Sequence, residues 1–429
     1  METIKRLPVR GAYFLLAYMP FHIFLSQSLS LVTGDLEIWK LAKDGLTGLL
    51  ALLVIGLVYI KSKQNKAFNT LLGLSIAYAL AFVLIWGINR DIYVRTALLG
   101  SLYDLRVVAY VIIGFGSVLL APRMVTNQKI VKLILVVSAI VALLGVMQYF
   151  FPKDILTHLG YSTVRGVKPN FFIDDKPDLP RIMSTLRDPN SLAAYLILPL
   201  SVSIGLFFDH KNRRTLFAGI SLLFGLALFL TFSRGGLIGV LIAVLALFVL
   251  QFRSWLKQHA KLIALVCIVG LSVLGAGGYI FRDQYVVQNI ILHSDESTKA
   301  SEDSNQLHAR LALDGARAIV RKPLGHGPGT AGIVSIQNPN GGVLTENYYV
   351  QIGYEVGIIG LGLFMAIWGY VLYLLARNRS LLASCLLASA VAYGVLCLIM
   401  HLWTNEAIAA SWWITAGLVL GQKPTAKKL

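Results

Sequence analysis

Charged residues are scarce in this sequence of 429 residues. They make up 14% of the chain, whereas a soluble chain of this length carries about 25%. Hydrophobic residues make up 56%, and they are grouped in runs of about 20, the length of a helix that crosses a bilayer. The deficit of charge excludes a water-facing surface over most of the chain. We therefore predict an all-α polytopic membrane protein in which residues 1–429 form a single membrane domain.

Cysteine is also rare, which limits the kinds of site that the chain can hold. The three cysteines, Cys267, Cys385 and Cys397, lie within apolar runs, and none belongs to a Cys-x-x-Cys pair. A disulfide framework and a zinc site are therefore not expected. No group of His, Asp or Glu has the spacing of metal ligands, so we predict neither a metal nor another cofactor. No small-residue cleavage site follows the basic segment METIKRLPVR, which favours a retained first helix over a signal peptide.

The apolar runs predict about 12 membrane-spanning helices separated by two long polar loops. The first loop covers residues 151–188, and the second covers residues 282–346. Within the second loop, apolar positions repeat at helical spacing and predict an amphipathic helix at about 308–322. The spans are predicted at residues 11–32, 41–60, 68–88, 104–121, 130–150, 189–208, 215–232, 235–252, 262–281, 347–375, 380–400 and 407–421.

Acidic residues are nearly absent from one side of this predicted topology. The short connections on that side carry about 20 of the 38 basic residues, and such basic segments mark the cytosolic side of a membrane. Glu2 and Asp209 are the only acids there. We therefore predict both termini in the cytosol, both long loops on the extracytoplasmic side, and membrane lipids as direct partners. The basic residues are explained by topology, so no nucleic-acid partner is expected.

Charge is also scarce in the middle of the predicted spans, and polar side chains gather in the extracytoplasmic loops instead. Transporters usually keep their polar residues at mid-membrane and their loops short. The pattern favours a site at the outer interface that handles a lipid headgroup or a substrate held there. A lipid or polysaccharide transporter stays open as an alternative, and a structural protein is a further one.

Three arginines are predicted at the outer ends of helices. Arg187 precedes the span that begins near Pro189, Arg234 lies in the short turn TFSRGGLIG, and Arg310 begins the loop helix. One such arginine often reaches a lipid phosphate without any further function. Three on the same side indicate a phosphate-rich ligand, because a guanidinium forms paired hydrogen bonds with phosphate and stays charged.

One carboxylate is predicted at the outer end of a helix. Glu346 precedes Asn347 and Tyr348 in the segment TENYYVQIGYEVGIIG. It either caps this helix, where the helix dipole favours an acid, or acts as a general base on a hydroxyl group. Thr345 is an equally good capping residue, and capping by Thr345 would leave the carboxylate of Glu346 available.

Other ionisable residues lie close to this segment in the sequence. Glu355 is deeper in the same helix, where a carboxylate is costly unless it has a partner or a function. His326, in the glycine-rich stretch GHGPGTAG, is a second candidate for the base. His401 and Glu406, in the turn HLWTNE, are weaker candidates.

These motifs, in this order, resemble the O-antigen ligase and polymerase family of bacterial envelope glycosyltransferases. The resemblance is carried by RIMSTLRDPNSLAAYL, TFSRGGLIG and the run from Arg310 through KPLGHGPGTAG to ENYYVQIGYEVGIIGLGLF, over residues 181–365. It implies a membrane-embedded glycosyltransferase of GT-C-like architecture in the bacterial inner membrane, working without a metal. Such an enzyme takes a glycan from undecaprenyl diphosphate at the outer face and joins it to a hydroxyl of a glycan or lipid-linked glycan.

The resemblance also implies roles for residues of this chain. The predicted ligands of the diphosphate are Arg187, Arg234 and Arg310. The predicted base is Glu346, at a position where ligases of the family commonly have a histidine, and a carboxylate can accept the same proton. The predicted supporting residues are His326, Asn347, Tyr348 and Glu355. A polysaccharide polymerase, a ligase to a lipid-linked core and a protein O-oligosaccharyltransferase all stay open.

Overall fold

The computed structural model describes residues 2–61, 65–173, 176–252, 258, 304–336, 338–339 and 341–422. The predicted span at 262–281 lies outside these residues. The helices are α1 (Glu2–Tyr18), α2 (His22–Thr33), α3 (Leu36–Lys61), α4 (Lys66–Ile88), α5 (Val94–Leu120), α6 (Asn127–Phe150), α7 (Ile155–His158), α8 (Pro189–Asp209), α9 (Arg214–Leu230), α10 (Arg234–Gln251), α11 (Ser304–Arg321), α12 (Gly332–Ser335), α13 (Tyr348–Arg377), α14 (Leu381–Leu396) and α15 (Glu406–Leu420).

Within the described residues, nine helical segments are long and apolar enough to cross a membrane. One of them joins α1 and α2 across the short turn Met19–Phe21. Two shorter apolar helices, α14 and α15, accompany them. Together these segments coincide with every predicted span except 262–281, so the prediction of a helical multi-pass membrane protein is confirmed.

The prediction for the start of α5 is wrong. The helix begins at Val94, whereas the hydropathy pattern placed its start at residue 104. Arg95, Asp104 and Arg106 make this stretch look too polar for a span, but Asp104 and Arg106 are buried inside the bundle. Charged groups therefore lie well inside a span, contrary to the expectation that the middle of the spans is nearly free of charge.

The first long loop contains a β-hairpin, which the all-α prediction did not include. Strand β1 (Phe171–Ile173) pairs with β2 (Lys176–Arg181) in antiparallel register, with Phe171 opposite Arg181. The strands are short, and β2 contains two prolines, which are confined to strand edges and irregular positions. Such strands leave no alternating apolar pattern in the sequence, so the hairpin could not be recognised from it.

The amphipathic helix of the second loop is confirmed as α11, and it packs along the first half of α13. A Cβ atom added to Gly315 would collide with the side chain of Val350, and Ile319 contacts Gly353. Small residues on these faces let the two helices approach closely. The contact brings the second loop down onto the start of α13.

The interior of the bundle is formed mainly by α5, α8, α14 and α15. Nearly all residues of α15 are buried, and its Trp412 and Trp413 pack with Trp368 and Trp403. Many large apolar side chains on α3, α4, α9 and α10 are exposed instead, as expected for helices that face lipid. The bundle therefore has a buried interior surrounded by helices whose outer faces are apolar.

Candidate active site

Both long loops meet the helices at one end of the bundle, which we call the loop end. Here the backbone N–H of Tyr348 donates to the carbonyl of Cys397 at 2.8 Å, which joins the start of α13 to the end of α14. The N–H of Ile182 donates to the carbonyl of Leu230 at 3.1 Å, which joins the segment before α8 to the end of α9. The start of α10 lies between these pairs, because Gly236 packs against Ala193 of α8 and Gly235 lies close to Leu396 at the end of α14. Most candidate residues lie at the starts of α8, α10 and α13.

Arg181 contacts the turn that precedes Arg234 at the loop end. Its Nε donates to the carbonyl of Thr231 at 2.8 Å, and its terminal nitrogen donates to Oδ1 of Asn190 at 3.0 Å. Burial lowers the pKa of Arg181, and the positive charge of Arg234 lowers it further, while the negative charge of Asp188 opposes both. Two guanidinium groups whose charges act on each other favour the binding of an anion.

The sequence prediction missed Arg181 although it opens the motif RIMSTLRDPN. Arg187, which was predicted instead, is half-buried and directly precedes Asp188, the cap of α8. No hydrogen bond or ion pair to Arg187 is present among the described residues, so its guanidinium is available to a ligand. The motif thus offers two arginines, and of these Arg181 is the one that contacts the turn before Arg234.

Arg310 is placed differently from its prediction. Helix α11 begins at Ser304, so Arg310 lies within the helix rather than at its start. Its side chain is 65% exposed, and its Nε lies 3.9 Å from the carboxylate of Asp314. Arg310 therefore has less structural support as a phosphate ligand than Arg181 or Arg234.

Glu346 has a left-handed backbone conformation, with φ at 49°. Its side chain is half-buried. The next residue, Asn347, caps α13, because its Oδ1 accepts the N–H of Val350 at 3.0 Å. The two predicted capping alternatives, Glu346 and Thr345, are therefore wrong. Because Asn347 caps the helix, the carboxylate of Glu346 is not used as a helix cap.

Backbone strain is concentrated near the candidate residues. Among the described residues, three that are not glycine have a left-handed φ: Ser184 at 55°, Phe232 at 49° and Glu346 at 49°. Each such residue costs on the order of 1–3 kcal/mol and persists where the surrounding structure enforces it. Ser184 lies midway between Arg181 and Arg187, and Phe232 lies just before Arg234. The same strained geometry leads into α8, α10 and α13.

The glycine-rich loop at residues 325–332 is inserted between α4, α5 and α13. Helix α13 is interrupted at Val356 and Gly357, whose backbone angles are not helical. The loop replaces the missing helical hydrogen bonds: the N–H groups of His326 and Gly327 donate to the carbonyls of Tyr354 and Glu355, each at 2.8 Å. Non-helical backbone at membrane depth is tolerated where protein satisfies it, so the loop and the helix interruption form one unit.

His326 is held within this unit. Its ring stacks on that of Tyr354 with centroids 3.9 Å apart, and its Nδ1 lies 3.3 Å from the carbonyl of Tyr354. Burial lowers the pKa of His326, as does the nearby charge of Lys322, while the hydrogen bond to Tyr354 opposes them. When Nδ1 donates to this carbonyl, Nε2 is the nitrogen that can accept a proton. His326 therefore stays a second candidate for the base.

A network of buried charges links four helices near the loop end. Arg106 lies 3.4 Å from Glu406 and 3.6 Å from Asp44, and Lys43 lies 2.8 Å from Asp44. His22 lies 3.8 Å from Glu406. Two cations and two anions balance, so these side chains stabilise each other inside the bundle. The network was not predicted, because its members are separated by long stretches of sequence.

A shallow cleft of about 50 Å³ opens beside Arg181. It is lined by aromatic side chains and a few polar groups. Its residues include Tyr149, Phe171, Phe172, Lys153 and Asn170. A larger open cleft lies at the opposite end of the bundle around Asp209–Arg213, but it contains no candidate residue.

Within the described residues, no group of three or more His, Cys, Asp or Glu side chains is placed to hold a metal ion. The charged groups at the loop end that suit an anion are arginines, and those that suit a proton are Glu346 and His326. The loop end therefore carries arginines that suit a phosphate group and side chains that can accept a proton.

Comparison with known families gives one similarity. Residues 219–365 match the family model for O-antigen ligase, which confirms the resemblance that the sequence motifs indicated. The matched range includes Arg234, Arg310, Glu346 and the whole glycine-rich loop, and it ends within α13. Arg181 and all of α5 lie outside it. No match was found among curated proteins.

Proposed function

With residues 219–365 matching the O-antigen ligase family, we propose that the protein is a membrane-embedded glycosyltransferase of the O-antigen ligase or polymerase type. Its donor is a glycan linked to undecaprenyl diphosphate, and its acceptor is a hydroxyl group of a glycan or lipid-linked glycan. The observation that carries this proposal is the hydrogen bond from Arg181 to Thr231, three residues before Arg234, together with the effect of the Arg234 charge on Arg181. Two guanidinium groups match the two phosphates of such a donor.

The reaction is a single displacement at the anomeric carbon. The acceptor hydroxyl attacks this carbon, the bond to the diphosphate oxygen breaks, and the anomeric configuration is inverted. Arg181 and Arg234 stabilise the charge that develops on the leaving diphosphate, which is the task that a metal ion performs in other enzymes. Arg187 lies close enough along the chain to assist, whereas Arg310 has a weaker claim to this role.

Glu346 is the proposed base that takes the proton of the acceptor hydroxyl. It is half-buried, it lies next to the cap of α13, and its backbone is held in a strained conformation. A base must be held within hydrogen-bonding reach of the proton that it removes, and an enforced backbone geometry serves this purpose.

The loop end is proposed to face the extracytoplasmic side of the bacterial inner membrane. The turn between α8 and α9, at the opposite end, carries Lys211, Arg213 and Arg214, and basic turns stay in the cytosol. Undecaprenyl diphosphate carries its glycan at the outer face, so this orientation brings donor and arginines together. A transporter would instead need its charges to line a path through the bilayer, whereas Lys43, Asp44, Arg106 and Glu406 are paired with each other.

The direct test is transfer by the purified protein. The protein in lipid nanodiscs is mixed with a polyprenyl-diphosphate-linked glycan and an acceptor glycan, with a chelator present. We expect a lengthened glycan, release of polyprenyl diphosphate and an inverted linkage. A strict requirement for a divalent ion would refute the metal-free mechanism. Movement of the intact lipid-linked glycan across the bilayer without any transfer product would refute the transferase and support a transporter.

A further inference from the structure

The side chain of Glu355 binds the glycine-rich loop from within the bundle. Its Oε1 accepts a hydrogen bond from the backbone N–H of Ala331 at 3.2 Å, and the N–H of Gly329 lies near the same carboxyl group. Glu355 is completely buried. The position of the loop at Ala331 therefore depends on one side chain of α13.

Asp104 of α5 lies against the same carboxyl group. The two side chains are within hydrogen-bonding reach of each other, and both are completely buried. Nε2 of Gln351 donates to both oxygens of Asp104, at 3.3 Å and 3.4 Å, and the hydroxyl of Tyr348 lies beside it. Among the described residues, no N–H or O–H group donates to Oε2 of Glu355, and neither carboxyl group forms an ion pair.

Two ionised carboxylates cannot hydrogen-bond to each other, because both are acceptors only. Their repulsion is strong in a buried, low-dielectric site, and a single unpaired charge at membrane depth is already costly. One proton removes the repulsion and turns one acid into a donor. The positive charge of Arg106 acts on Asp104, so the remaining negative charge is better placed on Asp104 than on Glu355.

We propose that Asp104 and Glu355 share one proton, carried on Oε2 of Glu355, and that this pair positions the glycine-rich loop. Glu355 is then a neutral acid whose Oε1 accepts from Ala331 and whose Oε2 donates to Asp104, so both of its oxygens have partners. The pair joins α5 to α13 directly. Through Glu355 it also holds the loop that contains His326. Glu355 and Asp104 are thus positioning residues. The shared proton can be tested without the proposed function, whereas the tests that measure transfer activity rest on it.

Infrared spectroscopy tests the proton directly, without any substrate. A protonated carboxylic acid has a C=O stretching band that ionised carboxylates lack. In the full-length protein in nanodiscs at neutral pH, we expect this band in the wild type, its loss in Glu355→Gln and its retention in Asp104→Asn. The exposed Asp314, paired with Arg317 at 3.1 Å, provides the control, because Asp314→Asn should leave the band unchanged. Absence of the band from the wild type, or its loss only in Asp104→Asn, would overturn the assignment.

Variants test the positioning role. The amide of Glu355→Gln can accept from the loop and donate to Asp104, whereas Glu355→Ala leaves buried donors without a partner. We expect Glu355→Gln to keep a thermal midpoint close to that of the wild type, and Glu355→Ala to lower it. Transfer activity should be roughly ten-fold or more higher in Glu355→Gln than in Glu355→Ala. An equal loss of transfer activity in both variants would show that the charge of Glu355 is needed and would overturn the proposal that Glu355 is a neutral acid. If the wild type itself has no transfer activity, only the proposed function is contradicted, because the infrared test does not depend on it.

Discussion

The backbones of Gly100 in α5 and Gly329 in the glycine-rich loop are in direct contact. A Cβ atom on Gly100 would collide with the backbone nitrogen of Gly329, and one on Gly329 would collide with the carbonyl of Thr96. Gly329 also has a left-handed φ of 75°, which glycine adopts without steric penalty. The loop therefore reaches Glu355 only because two glycines face each other across this contact.

The first prediction concerns this contact. Gly100→Ala should displace the loop and lower the free energy of unfolding by about 1–3 kcal/mol, the usual cost of overpacking. Gly45→Ala in α3 is the matched control, because nothing lies within 4 Å of its added Cβ atom. The control should be neutral or more stable by about 1 kcal/mol or less. Thermal unfolding in detergent compares the two, and equal midpoints would contradict the contact.

The second prediction concerns the arginine pair. Arg181→Lys and Arg234→Lys should each lower transfer activity by roughly 10–100-fold, because an ammonium group cannot form the paired hydrogen bonds of a guanidinium with phosphate. Arg317→Lys, on the exposed face of α11, is the control and should keep wild-type activity. Initial rates with purified, folded variants provide the measurement. Full activity in Arg181→Lys would contradict the role of Arg181 and favour Arg187 as the ligand of the diphosphate.

The third prediction separates the chemistry of Glu346 from its backbone. Glu346→Gln should fold normally and lose roughly 10²–10⁴-fold in turnover, the usual effect of removing a positioned base. Glu346→His should recover part of this loss. Glu346→Gly should be more stable than the wild type by about 1 kcal/mol or more, because glycine removes the strain, and still be inactive. A near-normal rate in Glu346→Gln would transfer the role of base to His326.

The fourth prediction concerns pH and His401. Both ring nitrogens of His401 are buried without a hydrogen-bond partner among the described residues, and burial lowers its pKa from 6.5 to about 4. Between these values the unfolded chain binds more protons than the folded one, so stability falls as the pH drops from 6.5 towards 4. His401→Phe should remove this part of the acid sensitivity. Thermal midpoints across this pH range test it, and identical pH profiles for variant and wild type would contradict it.

The fifth prediction concerns orientation. Val164 is 99% exposed in the first long loop, and Asn212 is exposed in the basic turn between α8 and α9. A membrane-impermeant thiol reagent applied to intact cells should label Val164→Cys, and it should label Asn212→Cys only after permeabilisation. Cys385 and Cys397 are buried and should contribute little background. The reverse pattern would place the loop end in the cytosol.

Hydropathy and periodicity were sufficient to predict most helices and the amphipathic helix α11. They could not predict the start of α5, because the partners that make Asp104 and Arg106 tolerable belong to distant segments. Glu406, for example, lies 300 residues after Arg106. The interruption of α13 was also missed, because the loop that satisfies its backbone is brought there only by the tertiary fold.

The site was predicted in part, for related reasons. Motif order located Arg234 and Glu346, but it favoured Arg187 over Arg181 because Arg187 is closer to the start of α8. Only the tertiary contact between the segments before α8 and α10 brings Arg181 to the turn before Arg234. The cap of α13 was assigned to Glu346 or Thr345 rather than to Asn347, since all three residue types suit this position.

The hydrogen bond between Gln351 and Asp104 spans 247 residues of sequence, and this separation has a consequence for biosynthesis. The ribosome delivers α5 to the membrane long before it makes α13, so Asp104 enters the bilayer ahead of Gln351 and Glu355. A carboxyl group in that position is costly until its neighbours arrive. The N-terminal half of the chain is therefore not an independent folding unit, and the bundle is completed by its last-made helices.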